Sequence, residues 1–153
     1  MADRIFDVQT FEPRHDRLQK MKYLLTRLKS VSDLPAALEK LVGEGIFTRR
    51  ETHEMETWAR SLLQEPSLKT LYHDENRVQV NKELLIPGGK LLHIDRVVQT
   101  SDALIFMTFI GGANADEPRR HLKKIISTFQ QPGKQSRGVI ISMEDEAAEW
   151  IDV

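Results

Sequence analysis

Leu18, Met21, Leu25 and Leu28 recur at three- and four-residue spacing, which lines them along one face of a helix. Arg14, Arg17, Lys20, Lys22, Arg27 and Lys29 fall between them and charge the other face. Leu34, Leu38 and Leu41 make a second stripe. Asp33 can cap that helix, Pro35 suits its first turn, and Gly43 or Gly45 is a natural stop. A third helix is expected from Thr48, because Thr48 and Glu51 have the spacing of a capping box, in which each side chain accepts from the other's backbone amide. Met55, Trp58 and Leu62 line its face, and Pro66 is expected to end it. A short helical turn is expected around Ser67 to Tyr72.

The period then changes. Val78 and Val80 alternate with polar residues, Leu84, Leu85 and Ile86 follow, and Pro87-Gly88-Gly89 separates them from a second run, Lys90 to Val98. That is the pattern of a hairpin. Strict alternation would put Leu91, His93, Asp95 and Val97 on one face and Leu92, Ile94, Arg96 and Val98 on the other. Ala103 to Ile110 is almost wholly apolar, as in a central strand covered on both sides. After the loop Gly111–Asn114, a helix is expected from Pro118 to about Gln131 with Leu122, Ile125, Ile126 and Phe129 inward. Gly138 to Met143 and Glu149 to Val153 complete the strands. The sum predicts an α+β fold: a helical half (1–75), then a three-strand meander, a helix and two further strands in a mixed sheet (76–153), all in one domain.

Composition narrows the class of protein. With 153 residues the chain suffices for one core. It has no cysteine, which excludes disulfides, Cys-ligated zinc, iron–sulfur clusters and thiol catalysis. No apolar run approaches the ~18 residues of a membrane span, and Met1-Ala2-Asp3-Arg4 does not lead into a signal-peptide stretch; the expectation is a cytoplasmic protein with no membrane partner. Net charge is −1, unlike a histone-type nucleic-acid binder. The charge is nevertheless uneven. Six basic and two acidic residues lie between Glu12 and Lys29, and six basic and two acidic between Asp116 and Arg137. Glu144, Asp145, Glu146, Glu149 and Asp152 make the end acidic. Two basic helices suit DNA phosphates; equally, a charged outer face is the ordinary state of a surface helix.

Motifs with intrinsic chemistry are scarce. There is no HExxH, no GxSxG and no GxxxxGK[ST] in the sequence, so zinc-protease, serine-hydrolase and ATP-binding signatures are absent. His93 and Asp95 are two apart on a strand and point the same way, which suits a metal or acid–base site. The plainer alternative pairs Asp95 with a nearby basic residue and leaves His93 at the surface.

The order of these segments carries a resemblance. Tyr23–Leu28, Ser32-Asp33-Leu34, Ala37-Leu38, Leu41–Ile46 and Leu63–Tyr72 follow one family's rhythm. The most specific stretch is Val80-Asn81-Lys82-Glu83-Leu84-Leu85-Ile86-Pro87-Gly88-Gly89-Lys90-Leu91-Leu92-His93-Ile94-Asp95-Arg96-Val97-Val98. From about Leu24 to Val153 the chain resembles the RecB-type nuclease domain of the PD-(D/E)XK superfamily. It looks most like the C-terminal domain of AddA- and UvrD-related helicase–nucleases of the Bacteroidetes type. The resemblance implies a restriction-endonuclease-like core and metal-dependent cleavage of DNA, with an ion that polarises the phosphate and lowers the pKa of the attacking water.

Carried over residue by residue, the family's second-strand aspartate falls on Asp95. Its third-strand acid falls on Thr108 and its lysine on Ile110. Its supporting histidine falls near Lys22, and its Gln-xxx-Tyr helix on His121 to Phe129, with Lys124 or Ile125 at the glutamine. One metal ligand, Asp95, survives, and a single carboxylate holds Mg²⁺ poorly. The resemblance therefore implies a catalytically degenerate domain without intrinsic activity or bound cofactor. It would be the C-terminal part or a remnant of an ATP-dependent helicase–nuclease of DNA repair and recombination. Arg96, Arg119, Arg120, Lys123 and Lys124 are the candidate DNA contacts, with weak, salt-sensitive binding, and helicase domains in cis or a helicase subunit in trans are the implied partners. Two alternatives stand beside it. One is an active exonuclease using Mg²⁺ or Mn²⁺, its site completed by Glu83, His93 or the Glu144–Glu146 cluster; the other is a protein-interaction module docking through Asp33 to Gln64.

Overall fold

The computed structural model describes residues 13–112 and 114–152, and of residues 13–16 the backbone only. The expectations for Met1–Arg4, for the side chain of Arg14, for Ala113 in the loop and for Val153 lie outside the described residues.

Helix α1 spans Pro13–Arg27 and buries Met21, Leu24 and Leu25. A 3₁₀ turn, Val31–Asp33, leads into α2, Leu34–Gly43. Asp33 stands at the start of α2 but its side chain makes no capping bond; the turn before it already holds it in helical geometry (φ −82°, ψ −4°). The α2 stop is as expected, with Gly45 at φ +79°, a conformation that costs glycine little. Helix α3, Arg49–Leu62, has the full capping box: the Glu51 amide donates to Thr48 Oγ1 at 3.3 Å, and the Thr48 amide to Glu51 Oε1 at 2.7 Å. It ends at Leu62, and Pro66 opens the next short helix, α4 (Pro66–Lys69), instead of closing α3. A proline in the first turn needs no amide partner.

Five strands follow among the described residues: β1 Arg77–Ile86, β2 Lys90–Gln99, β3 Ala103–Ile110, β4 Gln135–Ser142 and β5 Ala147–Ile151. They form one mixed sheet in the order β1-β2-β3-β4-β5, antiparallel except for the parallel pair β3/β4. That parallel pair needs a crossover, which α5 (Asp116–Thr128) supplies. The expected α+β architecture is the one observed.

The sheet carries a core on each face. One is built with the N-terminal helices from Leu24, Leu25, Trp58, Leu68, Val98, Met107 and Ile141. The other lies under α5, where Leu122, Ile125 and Ile126 meet Ile94, Phe106 and Ile140. Gly138 makes the second contact close: a Cβ there would stand 3.1 Å from Ile126 Cδ1 and 3.3 Å from Leu122 Cβ.

The expected alternation along β2 fails at one point. Leu92, Ile94 and Val97 all pack on the α5 side, whereas Val98 packs on the helical side. The ladder to β1 runs Val80↔Arg96, then Lys82↔Ile94; Asn81, opposite Asp95, has φ +52° and forms no pair. Left-handed backbone breaks the regular pleat, so β1 changes face here too: Val78 packs on the helical side and Leu84 and Ile86 on the other.

Candidate functional site

The break in the pleat sets Asp95. Pairing of β2 with β3 runs from Gln99↔Leu104 to Arg96↔Met107. At the next position the side chain takes over from the backbone, and the Phe109 amide donates to Asp95 Oδ2 at 2.9 Å. The other oxygen, Oδ1, lies 3.1 Å from His93 Nε2 and 3.4 Å from Lys22 Nζ on α1. His93 Nδ1 in turn stands 3.5 Å from Glu83 Oε1 on β1. Asp95 is only 3 % exposed. A carboxylate withdrawn from water needs such partners, because an uncompensated buried charge is costly.

A small cavity of about 160 Å³ opens beside it, lined by Lys22, Asp95, Thr108, Glu117 and His121 among others. Thr108 is thus brought to Asp95, and Lys22 as well. Ile110 is not: it packs into the apolar layer under α5. Glu117 and His121 are site members that the motif comparison passed over. Their four-residue spacing on one helix face was the signal in the sequence. The acidic cluster stays apart. Glu144 packs against Gly112, Asp145 accepts from Ser142 Oγ at 2.9 Å, and Glu146 accepts from Ser61 Oγ at 3.2 Å.

Among the described residues no three His, Asp or Glu side chains are grouped to hold a metal ion. Asp95 itself fits one badly. Both its oxygens are already engaged, one of them beside an ammonium group, and Mg²⁺ demands several well-placed oxygens.

Arg96, the next residue, faces the opposite layer and corrects an expectation. It is fully buried, with no surface to offer DNA. Its Nη1 donates to the Thr26 carbonyl at 3.0 Å and the Leu28 carbonyl at 2.6 Å, its Nη2 to the Leu71 carbonyl at 3.0 Å. The guanidinium lies 4.1 Å from the centre of the Tyr72 ring, a cation–π distance. Tyr72 donates its hydroxyl to the Leu25 carbonyl at 2.7 Å, and burial pushes its pKa up to about 12. Arg96 therefore satisfies the free carbonyls at the C-terminal end of α1.

The two basic helices differ. On α1, Arg17 pairs with Glu54, Lys20 with Glu51 and Lys22 with Asp95. On α5, Arg119 is engaged by Glu149 (2.6 Å) and Asp116 (3.0 Å). Arg120, Lys123 and Lys124 are exposed. Of the candidate DNA contacts, Arg120, Lys123 and Lys124 thus share an open surface, Arg119 is tied into an ion pair, and Arg96 is enclosed.

Fold and site together define an α+β domain whose mixed sheet holds a buried carboxylate, neutralised from within, where β2 parts from β3. No protein-family model matches the chain, and no curated protein matches it. No helix among the described residues is long and apolar enough to cross a membrane.

Proposed function

We propose that this chain is a nuclease-like domain that has lost cleavage and kept a DNA-guiding role, as part or remnant of an ATP-dependent helicase–nuclease. The observation that carries the proposal is the state of Asp95. The position equivalent to a metal-binding aspartate is buried, internally neutralised by Lys22 and within hydrogen-bond distance of His93, with the hydroxyl of Thr108 where a second carboxylate would be needed. Glu117 is the other acid at the cavity, but no three acids or histidines are grouped to hold an ion among the described residues, and with an isoleucine packed against the apolar layer at the lysine position the residues offer a poor metal site and no β3 lysine to activate water. The strand order, a meander followed by a helix and a parallel strand, supports the likeness in fold. Fold outlasts chemistry because function lives in the site. The exposed cations of α5 supply the DNA contact, and such contact is electrostatic and falls with salt.

The test is digestion of single- and double-stranded DNA with Mg²⁺ or Mn²⁺, using the protein and its Asp95→Ala variant, beside gel-shift binding at low and high salt. The expected result is a salt-sensitive shift with no cutting by either protein. Cutting that disappears with Asp95→Ala would establish an active nuclease instead, and absence of any shift at low salt would remove the DNA-guiding role.

A further inference from the structure

We infer that a cavity at the C-terminal end of α5 binds a mononucleotide: a flat heterocycle with lactam or imide edges that carries one phosphate. The cavity is separate from the Asp95 site and does not rest on the DNA-guiding reading.

α5 covers only part of its side of the sheet. It ends at Thr128, and at Phe129 the backbone turns out of the helix (φ −107°, ψ 69°). Where the helix stops, a cavity of about 460 Å³ remains against the end of the sheet, where Arg77 pairs with Gln99 and Gln99 with Leu104. Its size falls within the range of about 300–1,000 Å³ typical of small-ligand sites. Leu104 lies five residues along β3 from Phe109, whose amide holds Asp95, a separation of about 17 Å at ~3.3 Å per residue. The Asp95 site adjoins the first turns of α5, and this cavity adjoins the last.

The floor is apolar. Val97, Leu104 and Phe106 form it, all three buried. The partly buried Phe129 makes a wall, its ring 6.2 Å from that of Phe106 and tilted by 44°. Leu85 and Leu91 stand exposed on the β1–β2 hairpin; this floor, by contrast, has a polar rim. Carboxamides supply it from three segments: Gln79 on β1, Gln99 on β2, and Gln130 and Gln131 after α5. Gln130 donates its Nε2 to the Ile126 carbonyl, which leaves its Oε1 as an acceptor. Gln79, Gln99 and Gln131 have no side-chain partner among the described residues, and neither has the exposed guanidinium of Arg77 beside them. Of the described residues that line the cavity, none is acidic.

Each feature selects a property of the ligand. A floor of aliphatic and phenyl groups favours a flat apolar face, and a ring stacked on Phe129 gains beyond the area it buries. A carboxamide donates and accepts side by side, so it pairs with a ring edge that does the same, as an imide N–H beside its carbonyl does. An unpaired guanidinium matches the oxygens of a phosphate. A purely apolar ligand would leave the rim unsatisfied, and a cation would meet no counter-charge.

Titration of the full chain tests this with two probes. Flavin mononucleotide is followed by quenching of its ring fluorescence, and uridine monophosphate by the glutamine side-chain signals of ¹⁵N spectra. Riboflavin and uridine supply the rings without phosphate, and ribose 5-phosphate supplies the phosphate without a ring. Thermal melting verifies the fold of every variant. At least one of the two mononucleotides is expected to bind, and which one does reports the ring size that the cavity takes. Ribose 5-phosphate should bind about tenfold more weakly, because it forfeits the floor. Arg77→Ala should weaken the bound mononucleotide about tenfold and leave its phosphate-free counterpart unchanged. Gln79→Met with Gln99→Met keeps the length of both side chains and removes the amides; it should weaken the ring about tenfold with or without phosphate. If neither mononucleotide binds, if ribose 5-phosphate binds as tightly, or if the glutamine variant binds like the wild type, the inference is wrong, whatever the gel shifts with DNA show.

Discussion

Helices α1 and α5 are both basic and amphipathic, and they are attached to opposite faces of the sheet by different means. α5 is held by an apolar stripe, Leu122, Ile125 and Ile126, and most of its cations project into solvent. α1 has an apolar stripe too, but charge also fastens it. Lys22 reaches the buried Asp95, and the buried Arg96 grips the carbonyls at the helix end. Two adjacent residues of β2, of opposite charge and both nearly inaccessible, thus secure α1 without pairing with each other. The stretches Glu12–Lys29 and Asp116–Arg137 carry six lysines and arginines each, and that count predicts neither arrangement. What separates them is whether acids or carbonyls on neighbouring elements lie within reach.

The comparison breaks most severely at Arg96. Arg96→Ala strands three buried carbonyls and leaves a large void, and should cost about 3–5 kcal/mol in chemical denaturation; a loss under 1 kcal/mol would show that the guanidinium does not fasten α1. Asp95→Ala should cost less, about 1–3 kcal/mol, because it orphans the Phe109 amide while Lys22 can turn to water. Adding Lys22→Ala to Asp95→Ala should cost little more, since the two act as one unit, and full additivity would separate them.

Acid acts elsewhere, on the clamps around β5. The hydrogen-bonded Arg119 guanidinium holds the Glu149 carboxyl below its usual range, and Arg137 does the same for Asp152, with Arg137 also lying over the Trp150 ring at 4.3 Å. Both carboxyls protonate less readily in the fold than in the unfolded chain. Their stabilisation is therefore present at neutral pH and is lost as pH falls through and below the ordinary carboxylate range of about 4. Melting temperature against pH checks this: Arg119→Gln should flatten the decline below pH 5, and an unchanged slope would contradict it. The smallest effects belong to exposed charge. Arg17→Ala on α1 should change stability by less than about 1 kcal/mol. Arg120→Ala, Lys123→Ala and Lys124→Ala on α5 together should leave it within about 0.5 kcal/mol while reducing the salt slope of DNA binding by about 0.7–0.9 for each phosphate no longer neutralised.

Most of the fold was legible in the sequence because its elements obey local rules. The Thr48–Glu51 capping box, the Pro87-Gly88-Gly89 turn and the apolar run of β3 each specify their own geometry within a few residues. The misplacements were also local. Pro66 can close one helix or open another, and the sequence holds both possibilities until Leu62 and Leu63 find their places in the core. Asp33 lost its cap to a preceding turn. The face switch at Asp95 had one sign in the sequence, an asparagine, the residue type that most readily accepts positive φ after glycine, but asparagine alone does not announce it.

The site was legible only in part. Asp95 and His93 were found by their spacing along a strand and Thr108 only through the resemblance, and Glu117 and His121 were missed because α5, distant in sequence, brings them in. Residue types and spacing along one chain determined which segments are helix and strand and which faces are apolar. The tertiary structure alone decided the fate of the charges: that Arg96 is spent on carbonyls inside the molecule, that Lys22 neutralises Asp95 across two elements, and that Leu85 and Leu91 remain bare. The reason is range. Secondary structure follows from torsions and spacings within a turn or a strand, whereas the state of a charge or an apolar side chain depends on what distant segments bring to within a few ångströms, or fail to bring.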